Sequence, residues 1–162
     1  MSAIDDLLAG NRRYAASFPG EAAARPSRAV AVVACMDARM DVYALLGLAP
    51  GEAHVIRNAG GAVTEDVLRS LTISQRHLGT REVMLIHHAG CGMQTFTDEE
   101  FKARIAAETG IRPPWASEAF TDLDADVRQS MARVRACPFL PHAGAVRGFV
   151  YEVGTGLLRE VS

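Results

Sequence analysis

Two short segments hold the residue types from which a metal or nucleophile site is built: Cys35-Met36-Asp37-Ala38-Arg39 and His87-His88-Ala89-Gly90-Cys91-Gly92. Together they supply two thiols and at least one imidazole. Zinc binds thiolate and imidazole, and catalytic zinc sites keep three protein ligands with a fourth position open for water. Cys35, His88 and Cys91 make such a set. The step of three from His88 to Cys91 lets both side chains face one point, and Gly90 and Gly92 let the backbone bend around it. Successive strand residues point to opposite faces, so His87 is expected to turn away from His88 and pack.

Each of these residues also has a plainer reading. A single cysteine at the end of a buried strand is usually a small core residue. Asp37 and Arg39 are either an ordinary surface ion pair, worth little, or a buried dyad beside the metal. A third reading makes Cys35 a thiolate nucleophile of the phosphatase or sulfurtransferase kind. The phosphate-cradling version needs an arginine six positions after the cysteine, whereas Arg39 is four after it and the intervening Asp37 would repel an oxyanion.

The elements that must position these loops can be read from periodicity and punctuation. Ala29 to Cys35 is valine-rich and apolar on both faces, as befits a central strand of a parallel sheet. Glu82 to His88 reads as another buried strand, and Ala53 to Arg57 as a third. Between them lie a helical turn at Val42 to Leu46 and a helix carrying Val63, Val67, Leu71 and Leu78, with Glu65 and Asp66 in its first turn and Gly79 as its stop. Thr97-Asp98-Glu99-Glu100 is a capping box that opens a helix ending at Gly110. A further helix carries Leu123, Val127, Met131 and Val134. Val146 to Val153 and Leu157 to Val161, joined by Gly154-Thr155-Gly156, read as a strand and its hairpin partner. Ser2 and Asp5 start an amphipathic N-terminal helix with Ile4, Leu7, Leu8, Tyr14 and Phe18 on its apolar side.

This alternation predicts an α/β fold with a mostly parallel central sheet flanked by helices and an N-terminal helical arm over residues 1–18. The whole of 1–162 is expected to be a single domain. Such sheets place ligands at the carboxyl ends of their strands, and the two loops singled out above follow two strand ends.

Composition narrows the function classes. The 162 residues carry 17 basic and 19 acidic side chains, with 6% aromatic content, so there is neither a basic footprint nor a set of stacking platforms for nucleic acid. The longest unbroken apolar run, Ala29 to Met36, is far short of a membrane span. Three widely spaced cysteines, Cys35, Cys91 and Cys137, fit a reduced chain better than a disulfide framework, and no signal-like segment opens the sequence. The expected compartment is the cytoplasm, with no nucleic acid and no membrane as partner.

The pairing of Cys35-x-Asp37-x-Arg39 with His88-x-x-Cys91-Gly92 resembles the signature of the β-class carbonic anhydrases. The similarity extends through Asp41-Val42-Tyr43, His54 to Gly60, Ser74-Gln75-Arg76 and Gly79 to Glu82, and is strongest to the short bacterial members. One departure stands out: where those members often carry Thr-Asp between the histidine and cysteine ligands, this chain has Ala89-Gly90. That places rate and pH dependence in question rather than ligation.

The resemblance implies a Zn²⁺ ion on Cys35, His88 and Cys91, with Asp37 and Arg39 as the dyad beside the metal-bound water. It further implies reversible hydration of carbon dioxide to bicarbonate and a proton by a zinc-bound hydroxide, and a homodimer or dimer-based tetramer in which the N-terminal helix lies on the partner. A closed state, with Asp37 on the metal and Arg39 released, also belongs to the family. Asn58, Ala59, Gly60 and Gly61 are candidates for lining a CO₂ slot, or serve only the turn into the next helix. His54, His77 and His142 are the remaining imidazoles for proton transfer. Alternatives are a carbon disulfide hydrolase on the same scaffold and a non-catalytic zinc-binding protein. Cys137, one residue before Pro138, is expected to be a packing residue or a bystander thiol.

Overall fold

In the computed structural model, which describes residues 2–162, a five-stranded sheet runs in the order β2-β1-β3-β4-β5. The strands are β1 (Val30–Cys35), β2 (Ala53–Asn58), β3 (Glu82–His88), β4 (Val146–Glu152) and β5 (Leu157–Val161). The first four are parallel, and β5 returns antiparallel to β4 through the expected hairpin. β1 and β3 sit side by side at the centre, both lined with apolar residues. That is why they lack the polar alternation of a half-exposed strand.

Five α-helices complete the fold among the described residues: α1 (Ala3–Ala16), α2 (Val42–Leu46), α3 (Glu65–Arg76), α4 (Asp98–Thr109) and α5 (Leu123–Ala136). The capping signals do what their chemistry dictates. Ser2 with Asp5, and Thr97 with Glu100, form reciprocal capping boxes that satisfy backbone N–H groups at the starts of α1 and α4. α3 is shorter than the apolar spacing suggested: Thr64 caps its first turn, so Val63 precedes the helix and Leu78 follows it, although Val63 still packs into the core. β1 begins at Val30 because Ala29 takes a positive φ of 52°.

α3 and α5 cover one face of the sheet, where Val67, Leu71, Val127, Met131 and Val134 meet Ala31, Val33, Val83 and Leu85. Cys137 is buried in this layer as a packing residue. The other face carries Val32, Ala34 and Ile86 with Met40 and Val42. α1 contributes nothing to either layer: it has no buried residue, and Ile4, Leu7, Leu8 and Tyr14, with Phe18 just beyond it, stand in solvent. Met1 of the expected arm lies outside the described residues. No helix among the described residues is long and apolar enough to cross a membrane.

Candidate metal centre

The carboxyl ends of β1 and β3 bring Cys35, His88 and Cys91 together. One ligand atom from each lies within 4.8 Å of the others, and all three residues are buried. Cys35 is the last residue of β1 and His88 the last of β3, while Cys91 stands three residues on, at the start of a single 3₁₀ turn (Gly92–Gln94). The Sγ atoms of Cys35 and Cys91 are 4.0 Å apart. Thiolates bound to one zinc at about 2.3 Å in tetrahedral geometry stand about 3.8 Å from each other, so the pair is spaced for a shared ion.

The imidazole is set for the same purpose. His88 Nδ1–H donates to the Ala89 carbonyl at 3.1 Å, which leaves Nε2 as the lone-pair nitrogen. That Nε2 is buried and has no hydrogen-bond partner. A buried acceptor left unmatched is costly, and a metal ion between it and the thiols removes the deficit. The thiols are also prepared: a hydrogen bond from Cys91 holds the Cys35 thiol well below its ordinary value, and the same contact pushes Cys91 up. His88 is raised, chiefly by the neighbouring Cys35.

Beside this group stands the Asp37–Arg39 pair. Arg39 donates from Nε to Asp37 Oδ1 at 2.9 Å and from Nη2 to Oδ2 at 2.7 Å, a fork-to-fork contact. The backbone N–H of Arg39 adds a third bond to Oδ1 at 2.9 Å. Arg39 therefore holds the Asp37 carboxyl far below the usual carboxylate range, and its own value is raised by the same bond. The dyad is not buried as a unit, since the Arg39 side chain is half exposed. Asp37 Oδ2 lies 3.6 Å from His88 Nε2, so the carboxylate borders the candidate ligand atoms while remaining in the arginine's grip. Arg39 Nη2 also reaches the Gly90 carbonyl at 3.2 Å, tying the two loops to each other.

Asn58, Ala59, Gly60 and Gly61 form the end of β2 and the 3₁₀ turn after it. Gly61 has φ of 70°, and a Cβ there would stand 3.0 Å from the Cys35 nitrogen and 3.2 Å from the Ile86 carbonyl oxygen. Its lack of a side chain lets this turn lie directly against the backbone of both central strands. Asn58 Nδ2 donates to the Ala62 carbonyl at 2.8 Å, and its buried Oδ1 has no partner.

His87 turns to the opposite face, where Nδ1 lies 3.1 Å from Asp126 of α5. None of the three other histidines joins the ligating group. His54 is hydrogen-bonded to Ser74 at 2.7 Å, His77 caps α3, and the His142 backbone N–H donates to Gln75. One residue escaped the sequence reading. Arg57, at the end of β2, donates from Nε to the Cys35 carbonyl at 2.9 Å and from Nη2 to the Asp37 carbonyl at 2.7 Å. The available signal was a basic residue near the end of the strand beside β1.

Fold and site together define a class: a mostly parallel α/β sheet with a Cys-His-Cys group able to hold a metal at its central strand ends and a carboxylate–guanidinium pair beside it. A sequence model of the family described as carbonic anhydrase matches residues 30–119. The chain is 56% identical to β-carbonic anhydrase 1 of Mycobacterium tuberculosis over 162 residues, covering 100% of this chain and 99% of that protein. It is 32% identical to the carbon disulfide hydrolase of Acidianus sp., covering 83% of this chain and 78% of the other. Among solved structures, the carbonic anhydrase from Streptococcus mutans superposes with a TM-score of 0.93 at 40% identity, covering 100% of this chain and 99% of that one. The chain belongs to the β-class carbonic anhydrases.

Proposed function

We propose that the chain hydrates carbon dioxide reversibly to bicarbonate and a proton, using zinc held by Cys35, His88 and Cys91. The observation that carries this reading is the unpartnered, buried His88 Nε2 facing two thiols, with Asp37 Oδ2 only 3.6 Å away. Bound there, zinc supplies a Lewis acid that makes a hydroxide nucleophile available near neutral pH. The roles of the protein's own groups follow from their chemistry. Asp37, held ionised by Arg39, accepts a hydrogen bond from the reacting water and so aims a lone pair at the substrate carbon. Arg39 keeps the carboxylate in that orientation, and through Gly90 keeps the two loops in register. Asn58, Ala59, Gly60 and Gly61, at the end of β2 and in the turn after it, are the candidates for lining a slot for the small substrate.

The 56% identity to a β-carbonic anhydrase against 32% to a carbon disulfide hydrolase favours CO₂ as substrate. The exposed apolar residues of α1 support a homodimer or a dimer-based tetramer with this helix on the partner. Two ligands that must stay reduced support a cytoplasmic setting. The deciding experiment measures bound zinc and CO₂ hydration for the wild type and Asp37→Ala. The expected result is zinc in both, with turnover reduced about 10²-fold in the variant, the loss typical of removing one preorganised group. Bound zinc without hydration in the wild type from neutral to alkaline pH would overturn the assignment and leave a non-catalytic zinc protein.

A further inference from the structure

Asp37 is gripped at both ends by guanidinium groups, and only one of them belongs to the dyad. Arg39 holds the carboxylate, while Arg57 holds the backbone. Arg57 stands on β2 opposite Ala34 of β1, and its fork spans two carbonyls that are two residues apart, those of Cys35 and Asp37. Between them the Met36 N–H donates to the Asn58 carbonyl at 2.8 Å. Three consecutive residues leaving β1 are therefore tethered to the end of β2. The Asp37 carbonyl also accepts from the Met40 N–H at 3.0 Å, so the contact that Arg57 alone provides is the link between the carbonyl of a ligating cysteine and that of the dyad aspartate.

A lysine at this position has a single ammonium and cannot bridge both carbonyls with the planar fork that arginine presents. We infer that Arg57 is a positioning residue for the reaction: by clamping the Cys35 and Asp37 carbonyls together, it fixes the Asp37 carboxylate relative to the metal ligands. Arg57 touches neither the ligating atoms nor the carboxylate and acts through Cys35 and Asp37. The inference rests on the proposed reading of Asp37 as the group that orients the reacting water.

The test is a double-mutant cycle on the zinc-loaded, full-length protein with wild type, Arg57→Gln, Asp37→Ala and the double variant. Two quantities are read: CO₂ hydration, and zinc affinity by chelator competition. Arg57→Gln is expected to lower kcat about 10-fold with KM little changed when Asp37 is present, and less than about twofold in the Asp37→Ala background, because contacting groups couple and independent ones add. Zinc affinity is expected to fall about 10-fold in both backgrounds, as for other residues that orient ligands. Arg57→Lys, which retains the charge and stem, should lie between, and it carries the same comparison if Arg57→Gln does not fold. Equal losses of turnover in both backgrounds, or wild-type zinc affinity in Arg57→Gln, would overturn the role of Arg57. Undiminished turnover in Asp37→Ala would instead overturn the reading of Asp37, and the zinc affinity of Arg57→Gln would still decide for or against the clamp.

Discussion

His87 and His88 are consecutive in β3, equally closed to solvent, and face opposite sides of the sheet. His88 points its Nε2 toward two thiols and Asp37, and His87 lies against Asp126 of α5. The period of two along a strand makes this division compulsory. A one-residue slip of β3 against β1 would exchange the two imidazoles and dismantle the cluster, so the register Val33↔Leu85 and Ala34↔Ile86 is as much a part of the candidate metal centre as Cys35, His88 and Cys91.

Removing the metal should abolish turnover reversibly. Dialysis against a strong chelator is expected to give a folded but inactive protein with a lower thermal midpoint, because an ion that binds only the native chain stabilises it. Adding back Zn²⁺ should restore hydration and midpoint together in the wild type and fail to do so in His88→Ala. Hydration that survives complete removal of the metal would refute the proposed chemistry.

Activity should climb from neutral to alkaline pH along one ascending limb. Two thiolate ligands cancel the formal charge of Zn²⁺, so the reacting water is less acidified than on three neutral imidazoles. Asp37 adds no limb of its own, since Arg39 keeps it ionised far below this range. Stopped-flow hydration across pH checks this, and a flat profile would count against it.

Gly61→Ala should be far more damaging than Gly90→Ala. Both glycines have positive φ, 70° and 66°, so each substitution incurs left-handed backbone strain of about 1–2 kcal/mol. Only at Gly61 does the new Cβ collide, with the Cys35 nitrogen at 3.0 Å and the Ala34 carbonyl carbon at 3.1 Å; at Gly90 no atom lies within 4 Å. Overpacking adds roughly 1–3 kcal/mol, and the displaced backbone carries Cys35, a proposed metal ligand. Urea denaturation and zinc content should both suffer in Gly61→Ala, whereas Gly90→Ala should show a modest stability loss with zinc retained.

Asp98 anchors the segment that follows α4. Its carboxyl is lowered to about 2, chiefly by the Ser117 backbone N–H, with further help from the Ser117 side chain and Lys102. A depressed carboxylate contributes its stabilisation above its unfolded value and loses it as pH falls through the folded one. The contact should therefore weaken between about pH 4 and pH 2. The single tryptophan, Trp115, lies near Phe101 of α4 and reports on this segment. In metal-free protein its fluorescence should titrate in that window in the wild type and lose that step in Asp98→Asn. An identical titration in both would disprove the link.

Most of the architecture was legible because it is written in local chemistry. The bounds of β3 and α4 follow from an apolar run and a capping box, and both were found where expected. The clustering of Cys35, His88 and Cys91 was legible because strand ends in a parallel sheet face one edge. Arg57 was not, because its partners are backbone carbonyls 22 and 20 residues away that no side-chain pattern marks. The demand for glycine at 61 was equally hidden: it arises from two strands and a turn meeting, not from the turn's own sequence. The helix over Glu65–Arg76 was overextended because Val63 and Leu78 continue its spacing while lying outside its hydrogen-bonded turns.

Cys35 and Cys91 are 56 residues apart in sequence and 4.0 Å apart at sulfur. On the proposed reading, an ion shared between them acts as a removable staple that joins two distant segments of the folded chain without a disulfide for a reductant to break. A permanent link closing a loop of that length is worth about 4 kcal/mol in the chain-entropy account. On the proposed reading the tether depends instead on the supply of free metal, so metal availability should govern how long the folded chain persists as well as whether it turns over.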